Sequence, residues 1–115
     1  MTEVATSGAV PDPVERVLAA LNAHDVEAFV ACYAPDATIE DGCDTVFAHG
    51  HDGLRERYAP LFERFPDVRV EPVMRTAVGE YVVQEEQVTG RGAAERHVAV
   101  YTIRGGLIVR ERLLR

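Results

Sequence analysis

Val14, Val17, Leu18 and Leu21 recur at i, i+3, i+4 and i+7, the stripe of a helix buried along one side. Asp12, Pro13 and Glu15 supply a cap, a first-turn proline and a capping-box acid, so a helix is predicted from Asp12. The spacing repeats in Val26, Phe29, Val30 and Tyr33 behind a second cap at Asp25, with Pro35 as its stop. A third helix is predicted after Gly50 with Leu54, Tyr58, Leu61, Phe62 and Phe65 inward, kinked or split near Tyr58 and Ala59 by Pro60. Between the second and third helices, Ala37 to Asp41 alternates as a short strand with Ile39 and Asp41 on one face.

From Asp67 the period changes to two. Strands are predicted over Val68 to Thr76, Tyr81 to Thr89, Ala94 to Ile103 and Leu107 to Leu114, joined by short glycine-containing turns. Such connections are too short for parallel crossovers, so the second half reads as an antiparallel meander. The fold class is α+β: a helical half, then a sheet half, around a pocket. Residues 1–11 lack either period and read as a disordered tail before a single domain spanning 12–115.

Composition narrows the chemistry. All twelve basic residues are arginine, which removes Schiff-base and phosphate-loop lysines, and the lone serine, Ser7, lies in the tail. Cys32 and Cys43 form no disulfide or zinc pattern, and no leader or membrane-length apolar run is present, so a cytoplasmic location is expected. The net charge of −7 lies in the helical half: residues 1–66 carry twelve acids against four arginines, residues 67–115 seven against eight. With no tryptophan and no basic face, neither nucleic acid nor membrane is an expected partner. His49-Gly50-His51-Asp52 could hold a metal by residue type, but the intervening glycine loosens the chelate, and no metal or cofactor is expected.

Acid–base chemistry or binding remains. Asp41, on the strand face of Ile39, is the candidate base if burial raises its pKa; otherwise it ends the strand. Glu85 and Glu86 supply one inward acid whichever way their strand faces.

The run Asn22-Ala23-His24-Asp25-Val26-Glu27-Ala28-Phe29, continuing through Tyr33-Ala34-Pro35-Asp36-Ala37-Thr38-Ile39-Glu40-Asp41 to His49-Gly50, resembles the nuclear-transport-factor-2-like superfamily. Within it, ketosteroid isomerases and SnoaL-like cyclases are the nearest in pattern. The resemblance implies a cone-shaped α+β barrel, three N-terminal helices packed on a strongly curved, mostly antiparallel sheet, usually a homodimer around a small apolar or polycyclic ligand. It implies Asp41 as general base and supporting roles for Tyr33 and Tyr58. The direct oxyanion donors of ketosteroid isomerase fall on Val17 and Ala99, which cannot donate. If Ala99 lines the pocket, strand alternation brings His97 and Tyr101 with it, so Tyr58 or His97 would be the replacement donor. The expected catalytic set is Asp41, Tyr58 and His97, in a pocket lined by Val17, Leu21, Tyr33, Phe62, Ala99 and Tyr101. The function implied is proton transfer beside a carbonyl, as in isomerases and cyclases; a non-catalytic ligand-binding or dimerisation module and an epoxide hydrolase stay open beside it.

Overall fold

The computed structural model describes residues 5–7, 12–42 and 45–115. Among them the chain runs β1 (Ala5–Ser7), α1 (Asp12–Asn22), α2 (Val26–Val30), β2 (Tyr33–Asp41), β3 (Thr45–His49), α3 (Gly50–Arg64), β4 (Arg69–Val78), β5 (Tyr81–Thr89), β6 (Glu95–Arg104) and β7 (Leu107–Leu114). The strands form one sheet in the order β1-β4-β5-β6-β7-β2-β3. The meander β4 to β7 is antiparallel as predicted, while β2 runs parallel to β7 and β1 parallel to β4. Three helices pack on the inner face of this curved, mostly antiparallel sheet, so the cone expected from the sequence is the fold.

The apolar stripes do the packing. Val14, Val17 and Leu18 of α1, Phe29 and Val30 of α2, and Leu54, Tyr58 and Phe62 of α3 are buried against Val82, Val88, Ala99, Tyr101 and Ile108 of the sheet. Burial of a large side chain of this kind contributes about 1.5–3 kcal/mol. Polar side chains then orient the helices. Asn22, at the end of α1, bonds both backbone groups of Val70, donating to its carbonyl at 2.9 Å and accepting from its N–H at 2.8 Å. His24 is held by the Val68 carbonyl at 2.8 Å and stacks on Phe62 with ring centroids 4.9 Å apart. These contacts tie the helix hairpin to the start of β4 and the residue before it.

The structure departs from the sequence reading in several places. Ala5–Ser7 pairs with Met74–Thr76 where a disordered tail was expected; the rest of that segment lies outside the described residues, as does Cys43. The second helix stops at Val30, and Tyr33 opens β2 although it extends the helical stripe. Tyr33 is instead held in the sheet, in register with Ile108 and with its hydroxyl donating to Glu111. Val46 and Phe47 belong to a strand, β3, with a bulge opposite Ile39 and Glu40. Pro60 does not split α3, which runs unbroken from Gly50 to Arg64. No helix among the described residues is long and apolar enough to cross a membrane.

Candidate active site

Inside the cone lies a cavity of about 110 Å³, lined on its helical side by Val17, Leu18, Leu21, Phe29, Tyr58 and Leu61. This is slightly smaller than the roughly 150 Å³ apolar cavity that accepts one benzene ring. The sheet side is different in character. There β5, β6 and β7 turn Glu86, His97, Tyr101 and Glu111 toward the helices, and Tyr33 completes the wall from the start of β2. Alternation explains the selection: Val82, Gln84, Glu86 and Val88 are the buried residues of β5, and Glu111 and Leu113 share the inner face of β7.

Two buried carboxylates anchor this wall, and they are treated differently by their neighbours. Glu86 accepts three hydrogen bonds: from the Tyr101 hydroxyl at 2.6 Å, from Gln84 Nε2 at 2.6 Å and from His97 Nε2 at 2.7 Å. The last of these contacts makes His97 Nε2 the ring nitrogen committed to Glu86. In the neutral imidazole that donates through Nε2, the lone pair is on Nδ1. Glu111 accepts one such bond, from the Tyr33 hydroxyl at 2.6 Å. Burial pushes its carboxyl up to about 8, helped by the charge of Glu86 and opposed by the Tyr33 bond. At neutral pH Glu111 is therefore mostly the neutral acid, with its own proton to donate.

Burial also drives the Tyr33, Tyr58 and Tyr101 hydroxyls well above the ordinary phenol range, so all three stay protonated donors. Tyr33 and Tyr101 spend their protons on the two glutamates. The Tyr58 hydroxyl makes no hydrogen bond among the described residues, and its ring sits 4.4 Å from Phe29 centroid to centroid. Gln84 is itself oriented from behind, accepting from Arg75 Nε at 2.6 Å, and Arg75 is ion-paired to Glu15 of α1. A buried polar chain thus runs from the first helix to the carboxylate that holds His97.

Residues 14–111 match the SnoaL-like domain family. This chain belongs to that family. Among solved structures, this SnoaL-like domain is similar to an uncharacterized cystatin-fold protein from Novosphingobium aromaticivorans, at 29% identity over 90% of this chain and 96% of that one, with a TM-score of 0.82. A Sinorhizobium meliloti protein, proposed as a polyketide cyclase, is 24% identical over 90% and 94% of the two chains, with a TM-score of 0.80. A Catenulispora acidiphila protein of ketosteroid isomerase-like fold, solved with trimethylamine, is 20% identical over 93% and 87%, also at 0.80. The last two likenesses are of fold.

Of the residues named from the sequence, Tyr58, His97, Val17, Leu21, Tyr33 and Tyr101 line the cavity of this SnoaL-like domain. Phe62 and Ala99 are buried but form no part of its wall, so the expectation that they line it is corrected. Asp41 needs correction. Its register opposite Leu113 keeps it on the expected face, yet it lies at the strand's open end, off the cavity wall, 45% exposed and 3.3 Å from Arg115. The desolvation expected for it falls instead on Glu111, which the sequence reading passed over. The available signal was Glu111's two-residue spacing from Leu113 on the last strand.

Proposed function

We propose that this domain is a small-molecule enzyme of the isomerase or cyclase type, moving a proton beside a carbonyl, with His97 as base and Glu111 as acid. The observation that carries this reading is the unequal pair of buried carboxylates, one fully hydrogen-bonded and one neutral at pH 7. A buried acid held neutral within the same wall as a histidine hydrogen-bonded to a carboxylate provides the two partners of an acid–base pair.

The steps follow from the wall. A carbonyl oxygen directed at Glu111 accepts its proton as a hydrogen bond, with Tyr58 within the same cavity as a second donor. His97 Nδ1 takes the proton from the adjacent carbon, and Glu86 stabilises the imidazolium that forms. The resulting enolate, hydrogen-bonded by Glu111, takes the proton back from His97 at another carbon, which is isomerisation, or attacks a second carbonyl in the same molecule, whose oxygen then takes the His97 proton, which is cyclisation. Neither outcome needs a cofactor. Glu111 and Tyr58 would take over the donor role that Val17 and Ala99 cannot fill. A cavity of about 110 Å³ favours a single-ring substrate over a polycyclic one.

The test is deuterium exchange at the α-carbon of cyclohexanone in D₂O, followed by NMR. Glu86→Gln should retain the fold and lower catalysed exchange about 100-fold or more, because the histidine loses its tautomer and its counter-charge. Asp41→Asn is the comparison, since it alters only the rim ion pair with Arg115 and should keep most of the exchange. Loss in Asp41→Asn with none in Glu86→Gln would return the base role to Asp41. A parent protein that binds small ketones without accelerating exchange would instead be a ligand-binding module.

A homodimer is part of this reading. Met74, Val78, Tyr81 and Val83 stand exposed on the outer face of β4 and β5, where Val78 pairs with Tyr81 and Thr76 with Val83. An apolar strip of this kind is what a second copy would cover. Sedimentation at micromolar concentration should give twice the chain mass, and Val83→Glu should return it to monomer.

A further inference from the structure

The cavity wall carries charges of both signs. Beside Glu86, Glu111 and a largely apolar lining, Arg57, Arg91 and Arg115 also contribute to it. These three come from separate elements: α3, the loop after β5 and the end of the chain beyond β7. In a chain of net charge −7, these three guanidinium groups bring positive charge to one small cavity that also holds Glu86 and Glu111.

The arginines are held but not consumed. Arg91 pairs with Glu95 at 2.8 Å and Arg115 with Asp41 at 3.3 Å. Arg57 has no acidic partner among the described residues. Its Nε donates to the Phe47 carbonyl at 2.8 Å and its guanidinium carbon lies 4.6 Å over the Phe47 ring, which leaves the two terminal nitrogens uncommitted. Stacking on Phe47 also removes much of the freedom that a long side chain would lose on binding. Arg91 and Arg115 act on the interior as well, since their charges oppose the upward drift of the buried Tyr58 hydroxyl.

Resting on the proposed reading of this cavity as a substrate site, we infer that the substrate is a small carboxylate: an apolar, single-ring body bearing an anionic group that meets Arg57, with Arg91 and Arg115 beside it. The guanidinium fork suits a carboxylate, which accepts two parallel hydrogen bonds from it. A cationic ligand meets the charge of Arg57, which no acidic partner among the described residues offsets. A neutral ligand of the same shape fits the apolar lining but leaves Arg57 unused. A carboxylate held at Arg57 would also set the molecule's direction, presenting its far end and its carbonyl to Glu111 and His97. Orientation of this kind is where remote binding contributes to rate.

Equilibrium binding of benzoate, benzamide and benzylammonium at pH 7, measured by calorimetry or by NMR titration, tests this without any turnover. Benzoate should bind about tenfold more tightly than benzamide at low salt, with benzylammonium weakest, and the gap should narrow in about 0.5 M salt. Arg57→Gln should weaken benzoate about fivefold and leave benzamide unchanged. Glu95→Gln, which releases Arg91 from its partner, should strengthen benzoate, so a gain as well as a loss is required. Benzamide binding as tightly as benzoate, benzylammonium binding best, no benzoate binding at millimolar concentration, or indifference to Arg57→Gln would each overturn the inference. The acid–base reading fails separately: benzoate preference with no catalysed exchange refutes the chemistry and keeps the carboxylate site, and the reverse result keeps the chemistry alone.

Discussion

Glu111→Gln is expected to make the protein more stable in alkaline solution while removing most of its activity. In the parent, Glu111 titrates near 4.5 when unfolded and near 8 when folded, because burial and the Glu86 charge disfavour its anion. Folding between those values takes up a proton, so this group's contribution is fully present below about pH 4.5 and declines as pH rises through 8. The slope approaches about 1.4 kcal/mol per pH unit inside that window, a few kcal/mol in all. Glutamine mimics the neutral acid and has no such dependence. Urea unfolding at pH 5.5 and pH 9 should therefore show similar stability for parent and variant at the lower pH and a clear advantage for the variant at the higher one. Parallel pH profiles would sink the assignment of Glu111 as the buried neutral acid. Catalysed exchange should fall on the order of 100-fold in the variant, since an amide donates more weakly to a developing oxyanion. The parent's exchange should itself fall above pH 8, and Tyr33→Phe should move that fall upward, because the Tyr33 bond is what holds the Glu111 carboxyl down.

The largest purely structural effect is expected at Gly90, where β5 turns toward β6. Its φ is +87°, and a Cβ built there would lie 2.0 Å from the Asp67 carbonyl oxygen and 2.7 Å from the Val68 nitrogen. Both obstacles are backbone, so neither can rotate away. Gly90→Ala should cost roughly 3–5 kcal/mol, the sum of a strained backbone and an overpacked contact, and lower Tm by more than about 10 °C. Gly92→Ala is the control: φ is +104° there, but no atom lies within 4 Å of the added methyl. It should show the backbone cost of about 1–3 kcal/mol alone. Equal melting shifts for the two variants would mean that the approach of this turn to Asp67 contributes nothing. Gly90 also precedes Arg91 of the cavity lining, so its variant should weaken benzoate binding in whatever fraction stays folded.

The site shows why local pattern reaches some residues and not others. His97 and Tyr101 were legible because alternation along an uninterrupted strand puts them on one face, and β6 keeps that alternation through both. Tyr33 was legible as buried but misplaced in a helix. Its spacing from Phe29 and Val30 satisfies a helical stripe, while its hydroxyl bond to Glu111, 78 residues away, belongs to the sheet. Asp41 was put on the right face and the wrong depth: alternation specifies the side of a strand, whereas distance from the rim depends on where the cone opens. Glu111 went unnoticed because Arg110 and Arg112 make its neighbourhood look like a solvated charged strand. The flanking arginines point to the other face, where Arg110 meets Glu40.

Three helix starts, four consecutive antiparallel strands, an acidic helical half, and the absence of lysine or serine chemistry are all legible along the chain. The elements follow from side-chain periodicity, caps and turn lengths, all of which act within a few residues. Which acid is buried, which histidine nitrogen meets Glu86 and which arginines share a cavity emerge once the chain is folded. Each of those depends on dielectric and on partners brought together across the sheet from dozens of residues apart. The energy of a charge is set by that assembled surrounding, and no short stretch of chain contains it.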